Sequence, residues 1–258
     1  MLLDNLYYED FGPPAAPLVL LIHGSTMTGH LDFGVESDLA QRLSSRYRVI
    51  VPDCPGHGRS GVGERLDYSF SHMAARLASL LVATTASPAF VIGHSNGGNI
   101  ALYFALEQPQ HTRAAVLLAA NAYIDPHIHA RVPAGMDPGR VYRENFTWAS
   151  QMIDLHDIHH GRGHWRRLLE ATIQETITNP NLGERDLAHV SVPCLCVQGE
   201  NDRVNAPGSH AQVLRAWLPH SELWVPAGCG HSVHHERPDE FERRVVAFFD
   251  HSANTTDA

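Results

Sequence analysis

The stretch Phe90-Val91-Ile92-Gly93-His94-Ser95-Asn96-Gly97-Gly98-Asn99 decides the fold of this chain. Within it an apolar run meets a serine with a glycine two positions away on either side, and an apolar-periodic segment follows. This Gly-x-Ser-x-Gly pattern is typical of a nucleophile elbow, a sharp strand–turn–helix junction that holds the serine in strained backbone geometry. Such a junction exposes Ser95 Oγ beside the Asn96 N–H and the positive end of the helix. The pattern predicts attack on a carbonyl, against the alternative of a glycine-rich turn with an incidental serine.

The composition of the chain narrows the class of protein. Its 258 residues, 43% of them hydrophobic, are enough for one α/β domain that carries an insertion. A formal net charge of −9 without a long basic run argues against nucleic acid or an acidic membrane surface as a partner. All 19 basic residues are arginine, which excludes a lysine Schiff base and a lysine general base.

The sequence shows no targeting or membrane segment. Residues 1–10 contain neither a basic region nor a long apolar run, and no stretch approaches the roughly 20 apolar residues that span a bilayer. We therefore expect a cytoplasmic protein with a small-molecule substrate, no membrane or nucleic-acid partner and no cofactor. The sequence leaves open whether the chain forms a homodimer.

Four cysteines and 19 histidines raise the question of a metal site. Cys194-x-Cys196 has the wrong separation for a zinc ribbon, and no second pair follows, so the cysteines are expected to be reduced and buried. Histidines are concentrated between residues 127 and 164, but His159 and His160 are adjacent rather than at helical spacing. We expect solvated histidines in this region and no metal.

Apolar runs bounded by glycine and proline alternate with helix-periodic segments along most of the chain. The alternation favours an α/β fold with a mostly parallel, doubly wound sheet of about seven to eight strands. Strands are predicted over 6–11, 17–22, 48–51, 90–94, 114–119, 194–198 and 223–225. Helices are predicted over 36–45, 70–84, 96–108, 209–218 and 238–249, with a frayed polar tail over 252–258.

The alternation breaks between Ala122 and Leu187. This stretch contains turns, such as Asp125-Pro126 and Val132-Pro133-Ala134-Gly135, and two predicted helices at about 140–155 and 164–178. We expect a helical cap over the carboxyl ends of the strands, with residues 1–121 and 188–258 forming the core. The candidate substrate-binding side chains of the cap are Tyr123, Phe146, Trp148, Met152 and Trp165. The alternative is that these side chains form the cap's own core.

Three candidate catalytic side chains follow predicted strands: Ser95, Asp202 and His231. A hydroxyl becomes a good nucleophile when a base removes its proton, which a neutral imidazole can do at neutral pH. A carboxylate fixes the imidazole tautomer and stabilises the imidazolium. Asp202 follows its strand directly through the turn that begins at Gly199, which favours it over Asp125 as this carboxylate.

The ordered motifs of the chain resemble those of the α/β-hydrolase superfamily, in particular its capped esterase, lactonase and C–C hydrolase branch. They are His23-Gly24, Asp53-x-Pro55-Gly56-His57-Gly58-Arg59-Ser60, Gly93-His94-Ser95-Asn96-Gly97-Gly98, Gly199-x-x-Asp202, and Gly230-His231 followed by Glu236-Arg237-Pro238 and Phe241. The resemblance covers nearly the whole chain. It implies an oxyanion hole, which we place at the backbone N–H groups of Asn96 and Ser25, with Thr26 as second choice for the latter. The short N-terminus implies that the first of the family's usual eight strands is absent or truncated.

The resemblance implies a serine hydrolase of an ester, lactone or thioester. A C–C bond hydrolase of a diketone-like substrate uses the same parts, and a non-hydrolytic lyase or cyclase and a non-catalytic ligand-binding protein are further alternatives. Serine at position 95 separates the chain from haloalkane dehalogenases and epoxide hydrolases, which it otherwise resembles but which place aspartate there. The cap resembles no specific member, so no substrate is implied.

Overall fold

A computed structural model describes residues 1–62, 67–84, 88–205 and 209–256. Its strands are β1 Leu2–Leu3, β2 Leu6–Phe11, β3 Leu18–Ile22, β4 Arg48–Pro52, β5 Ala89–His94, β6 Thr112–Leu118, β7 Cys194–Val197 and β8 Ser221–Trp224. They form one sheet in the order β1-β2-β4-β3-β5-β6-β7-β8. The β1–β2 and β2–β4 pairs are antiparallel and the other pairs are parallel. The predicted mostly parallel α/β sheet is therefore confirmed, with a first strand cut down to two residues.

Helices cover both faces of the sheet. They are α1 Leu39–Leu43, α2 Phe70–Thr84, α3 Asn96–Glu107, α4 Pro126–Met136, α5 Pro138–Glu144, α6 Phe146–Met152, α7 Ile158–His160, α8 His164–Thr176, α9 Glu184–Leu187, α10 Ser209–Trp217, α11 Val233–Glu236 and α12 Pro238–Thr256. Two π-helical turns cover His30–Val35 and Ile153–Asp157, and a 3-10 turn covers Pro109–His111. Within the described ranges, no helix is long and apolar enough to cross a bilayer.

The central strands are apolar on both faces because each face packs against a helical layer. Every residue of β3, β5 and β7 is buried, as expected for parallel strands between two layers. In β3, Leu20 and Ile22 pack with side chains of α2 and α3, whereas Val19 and Leu21 pack with those of α1 and α12. The four cysteines are free and buried, as predicted.

Three local predictions are wrong. Residues 126–136, expected to contain turns, form α4, because the Asp125 side chain accepts the Ile128 N–H at 2.7 Å and Pro126 occupies the first helical position. The helix expected over 140–155 is broken at Asn145, which leaves helical geometry and caps α6 through the Trp148 N–H. The tail expected from Ser252 continues α12 to Thr256, and Ser252 Oγ donates to Phe248 O from a buried position. Residues 257–258 lie outside the described part of the chain.

The segment between β6 and β7 is attached to the core by histidines. His156 accepts the Gly58 N–H on Nδ1 at 2.9 Å and donates from Nε2 to Thr26 O at 2.8 Å. His160 Nε2 lies 3.0 Å from Gly58 O. His164 Nε2 lies 2.8 Å from Gly56 O. The expectation of solvated histidines is wrong for the buried His156 and His164 and for the half-buried His160. Their ring nitrogens satisfy backbone groups of the loop that follows β4 and, for His156, also of the turn that follows β3.

These attachment histidines are held neutral. Burial lowers the pKa of His156 to about 4, more than the hydrogen bond to Thr26 O raises it. Burial also lowers the pKa values of His160 and His164. His57, which packs edge-on against the His156 ring, has its pKa lowered well below the usual value by burial and by the neighbouring histidines. The join between the inserted segment and the core is therefore a cluster of uncharged imidazoles.

Replacing Gly97 with alanine should destabilise the protein by about 3 kcal/mol, because overpacking against fixed atoms cannot be relieved. A Cβ at Gly97 would lie 2.1 Å from Ile22 O and 2.5 Å from His23 O, both backbone atoms of β3 and its turn. Gly135→Ala is the matched control, since a Cβ there meets nothing within 4 Å and should stabilise α4 by at most about 1 kcal/mol. Urea unfolding measures the free energy of unfolding of both variants. Equal stability of the two would contradict the close packing of Gly97 against β3 and its turn.

Stability should fall as the pH drops from about 6.5 toward 4. An unfolded histidine binds a proton near pH 6.5, whereas folded His156 does so only near its pKa of about 4. Over that window the unfolded state holds more protons, so each such group lowers the free energy of unfolding by about 1.4 kcal/mol per pH unit. His156→Gln should be less stable than the parent at pH 7.5 but should lose stability less steeply below pH 6.5.

The exposed His129 provides the control for this titration. His129→Gln should keep the parental slope of unfolding free energy against pH, measured by urea titration at pH 7.5, 6.5, 5.5 and 4.5. If His156→Gln keeps the same slope as well, the pH dependence does not arise at the attachment histidines.

Candidate active site

Ser95 lies at the sharp junction between β5 and α3. Its backbone has φ +56° and ψ −119°, in the positive-φ region that a residue with a side chain rarely adopts. The Ser95 N–H donates to Leu118 O, at the end of the adjacent strand β6, at 2.8 Å. The strained geometry that the Gly-x-Ser-x-Gly pattern predicts is therefore present.

Two backbone N–H groups lie close to this junction without partners. Asn96 is the first residue of α3, where an N–H has no acceptor within the helix. Ser25 lies in the turn after β3, which is closed by a 3.4 Å hydrogen bond from Met27 N–H to Gly24 O and contains Thr26 at φ +60°. Neither the Ser25 amide nor the Asn96 amide donates a hydrogen bond to another residue that the structure describes. Both residues line one cavity.

The turn that carries Ser25 is fixed from several directions. The Gly24 N–H donates to Asp32 Oδ2 at 2.9 Å, and the Gly24 carbonyl lies 2.8 Å from His23 Nδ1. The other His23 nitrogen accepts the Cys54 N–H at 2.9 Å, so Nδ1 carries the proton. Burial lowers the pKa of His23 and keeps the ring neutral. Together with the bond from His156 to Thr26 O, these contacts hold the Ser25 amide in place.

Asp202 and His231 are brought together at the ends of β7 and β8. The fully buried Asp202 has both carboxylate oxygens 3.0 Å from His231 Nδ1. Asp202 Oδ1 also accepts the N–H groups of Val204 at 2.9 Å and Asn205 at 3.2 Å. Since Nδ1 faces the carboxylate, the Nε2 of His231 is the nitrogen left to exchange a proton with another group.

The loops that carry Asp202 and His231 touch through their backbones. A Cβ at Gly199 would lie 2.0 Å from Gly230 O, so the approach requires glycine at this position. The Gly230 N–H in turn donates to the Glu236 carboxylate at 2.9 Å. The Gly199-x-x-Asp202 and Gly230-His231 motifs, together with Glu236, therefore fix one loop against the other.

Two further observations concern the candidate catalytic side chains. In the described part of the chain, no hydrogen bond joins Ser95 Oγ to His231; such bonds often close only in the complex with substrate. Asp125, the second candidate for the acid, lies 3.0 Å from His210 Nε2 and caps α4. The Asp125 carboxylate therefore contacts His210 instead of His231.

The cavity beside the two unpartnered amides contains about 320 Å³ of space, counting its open mouth. It is lined by His23, Gly24, Ser25, Cys54, His57, Tyr68, Phe70, Met73, Asn96, Ile100, Thr172 and Glu175. The inserted segment reaches it through α8, where Asn96 Nδ2 donates to Thr176 Oγ1 at 2.9 Å. The inserted segment therefore contributes Thr172 and Glu175 to the cavity wall.

The five side chains expected to contact a substrate are not among the described residues that line this cavity. Met152 and Trp165 are buried with Val141, Ala149 and Leu169 in the inserted segment's own core, and Trp148 packs on that core. Phe146 is 56% exposed. Tyr123 packs against His210 and Trp217. The alternative given for these residues, a role inside the segment, describes Met152 and Trp165, because the short helices α5, α6 and α8 bury their apolar faces on one another.

A buried carboxylate network that sequence spacing does not reveal lies behind the junction. Asp32 Oδ1 is 2.9 Å from Nε2 of both His234 and His235, and Oδ2 is 3.1 Å from His94 Nδ1. His94 Nε2 lies 3.3 Å from Ser232 Oγ, next to His231. The network therefore connects the turn of Ser25, the residue before Ser95 and the loop of His231. Its members are far apart in sequence, and the only signal was the excess of histidine.

The charges in this network are set by burial and by Asp32. Burial alone would raise the pKa of Asp32, yet His94, His234 and His235 hold it well below its usual range. Burial lowers the pKa of His234 to about 3, whereas hydrogen bonding to Asp32 raises that of His235. Among the described residues, Asp32, His234 and His235 form the group whose ligand atoms lie close enough to hold a metal ion. Each of these atoms is already engaged in a hydrogen bond, so the geometry is also that of a satisfied carboxylate.

Known proteins are similar to this chain over most of its length. The model of the alpha/beta hydrolase family matches residues 19–244. Pimeloyl-[acyl-carrier protein] methyl ester esterase of Xanthomonas campestris is 30% identical over 260 residues, covering 90% of this chain and 95% of that protein. The 2-hydroxy-6-oxononadienedioate/2-hydroxy-6-oxononatrienedioate hydrolase 2 of Pseudomonas putida is 28% identical over 278 residues, covering 96% and 92%.

Solved structures give the same result for the fold. A thermophilic esterase from Thermogutta terrifontis superposes with a TM-score of 0.75 at 23% identity, covering 96% of this chain and 93% of that one. The family match spans most of the sequence, and the esterase relative is similar over nearly its full length. This chain belongs to the alpha/beta hydrolase family.

Proposed function

We propose that this chain is a serine hydrolase that cleaves an ester, lactone or thioester of a small organic substrate through an acyl-enzyme on Ser95. The observation that carries the proposal is the strained Ser95 beside two unpartnered N–H groups, those of Ser25 and Asn96, on one cavity. Unpaired donors fixed in a cavity wall stabilise an oxyanion without reorganising during the reaction. The Asp202–His231 pair supplies the base.

The proposed reaction uses the His231 imidazole in both of its halves. Ser95 Oγ attacks the substrate carbonyl while His231 Nε2 takes its proton, and Asp202 holds the ring in the Nδ1–H tautomer. The oxygen that becomes negative binds the two amides. His231 then donates the proton to the leaving alcohol or thiol. In the second half of the reaction, the same imidazole takes a proton from water as the water attacks the acyl-enzyme. Losing one such donor typically costs about 10²- to 10³-fold in kcat.

A second candidate is C–C bond hydrolysis, since the Pseudomonas putida relative bears the name of a 2-hydroxy-6-oxononadienedioate hydrolase. The composition of the cavity wall favours ester hydrolysis over C–C bond hydrolysis. None of the described residues lining it is an arginine and one of them, Glu175, carries a carboxyl group, so the described wall offers a dicarboxylate no charge partner. The esterase relative is also the more similar of the two in identity.

We further propose that residues 122–187 act as a cap that sets substrate choice. The hydrogen bond between Asn96 and Thr176 and the presence of Thr172 and Glu175 in the cavity wall support this role. In this proposal α8 provides the substrate contacts of the cap, while Trp165 at its start and Trp148 of α6 take part in the packing of the segment's own core.

Ser95→Ala and His231→Ala should each lower kcat for p-nitrophenyl acetate and butyrate by about 10⁴-fold or more, and the double variant should lose little further because the residues act as a unit. A fluorophosphonate should add one adduct at Ser95, located by peptide mass spectrometry. The control is Ser79→Ala, an exposed serine of α2, which should keep full activity and labelling. Intact turnover with unlabelled Ser95 refutes the acyl-enzyme, and turnover of 2-hydroxy-6-oxononadienedioate but of no ester favours the second candidate.

Asp202→Asn should reduce kcat by roughly 10³- to 10⁴-fold while the protein stays folded, because asparagine still accepts the Val204 and Asn205 N–H groups but favours the wrong tautomer of His231. Asp125→Asn is the matched control: it weakens the contact with His210 and should lower the melting temperature slightly while kcat stays within a few-fold. Steady-state kinetics with thermal unfolding separates the two, and a larger kcat loss in Asp125→Asn at unchanged melting temperature would reverse the assignment.

A further inference from the structure

Tyr68 lines the cavity and carries a buried hydroxyl without a partner among the described residues. The residue is 6% exposed, and its Oη makes no hydrogen bond within the described part of the chain. Leaving a buried donor unsatisfied costs free energy, and native structures contain few such groups. The Oη therefore calls for an explanation that the described residues around it do not give.

The position of Tyr68 is fixed by its neighbours. Its ring packs edge-on against His57, with ring centroids 5.9 Å apart. A Cβ at Gly56 would lie 2.5 Å from the Oη, so the glycine leaves room for the hydroxyl. Burial raises the pKa of Tyr68, against the opposing charge of Arg167, so the group is a neutral O–H donor at neutral pH. The position of the hydroxyl is fixed by the ring, so it cannot reach solvent water elsewhere unless the ring moves.

The rest of the cavity restricts what this donor can bind. Phe70, Met73 and Ile100 give it an apolar wall, and Ser25 and Asn96 place it at the proposed oxyanion hole. The Glu175 carboxylate lies on the same wall, where it accepts the Phe70 N–H at 3.0 Å and the Asn179 side-chain amide at 3.3 Å. Among the described lining residues none is an arginine and the charged one is the Glu175 carboxylate, while Arg167 acts on Tyr68 from outside the lining, so a negative group in the cavity would meet a carboxylate in the wall itself.

We propose that Tyr68 is a specificity-determining residue whose Oη donates a hydrogen bond to an uncharged oxygen in the acyl part of a short substrate. The chemical class is an oxo-acyl or alkoxy-acyl ester, thioester or lactone with a short acyl part, since the enclosed space of the cavity is small. This inference rests on the proposed serine-hydrolase function. It adds that the acyl group is polar within its chain and neutral at its end.

The test compares pairs of p-nitrophenyl esters in which one methylene is replaced by a carbonyl or an ether oxygen: 4-oxopentanoate with pentanoate, 5-oxohexanoate with hexanoate, and methoxyacetate with butyrate. For at least one pair, Tyr68→Phe should lower kcat/KM for the oxygen-containing ester about tenfold and leave the alkyl ester within about twofold, since only the former loses a hydrogen bond. Comparing variants on the same ester removes the difference in intrinsic reactivity between esters.

Matched controls distinguish a specificity role from a structural one. Tyr47 is equally buried, at 4% exposure, but packs between Phe90 and Phe249 on the opposite face of the sheet, so Tyr47→Phe should leave every ratio unchanged. Tyr68→Phe removes an unpaired hydroxyl and should keep or raise the melting temperature. The monoester of glutarate, with an anionic acyl end, should be a poorer substrate than pentanoate for the parent protein.

The outcomes separate this inference from the proposed function. If Ser95 is labelled and esters are hydrolysed, but Tyr68→Phe changes both members of all three pairs alike, the hydroxyl does not select the acyl group and the inference is wrong. A glutarate monoester that is preferred over pentanoate refutes the neutral acyl end. If no ester is hydrolysed and Ser95 is not labelled, the proposed function fails and this inference fails with it.

Discussion

The close approach of three backbone segments at the end of β5 is the constraint on which the rest of the structure depends. Ser95 can keep its strained conformation only while α3 starts directly against β3 and β5, and Gly97, whose missing Cβ leaves space for Ile22 O, makes that contact possible. The helix then begins with the Asn96 amide, which has no partner in the described structure. The turn after β3 brings a second such amide, that of Ser25. The strain is offset by the tight core around it, where every residue of β3 and β5 is buried.

Two buried carboxylates organise the region behind and beside this junction in different ways. Asp202 uses backbone amides and one imidazole, and it orients a ring that remains partly exposed. Asp32 instead collects three imidazoles and a backbone amide from three separate segments. Removing a carboxylate so heavily hydrogen-bonded leaves several buried donors unpaired, which costs more than the loss of a single contact. The shape of the site therefore depends on a residue that takes no part in the proposed chemistry.

Much of the fold follows from patterns that are local in sequence. Continuous apolar runs identify β3, β5 and β7, and the glycine motifs identify the loops that meet at Gly199 and Gly230. Whether Ser95, Asp202 and His231 act together is still a prediction, although the structure brings the last two within hydrogen-bond distance. The inserted segment was harder to interpret. Its helices are short, capped by Asp125, Asp137 and Asn145, and its aromatic side chains pack on one another.

The histidines were misjudged for a physical reason that sequence cannot supply. Whether an imidazole is solvated or buried depends on the partner that reaches its nitrogens, and the partners of His156 are about 100 residues or more away along the chain. The Asp32 network has the same character, since its contacts join residues 62 and 202 positions apart. Composition indicated that histidine is unusually abundant, but only the tertiary structure assigns the rings to two separate clusters.

The way the inserted segment is attached has an evolutionary consequence. His156, His160 and His164 bind main-chain atoms of Gly56, Gly58 and Thr26, and main-chain atoms are the same whatever side chains the loop carries. A segment that recognises only the path of a backbone can drift in sequence on one side of the contact without losing the other. Segments between β6 and β7 could therefore be exchanged among related scaffolds while a few ring nitrogens preserve the attachment to the core. Such an exchange would separate the evolutionary history of the insertion from that of the core.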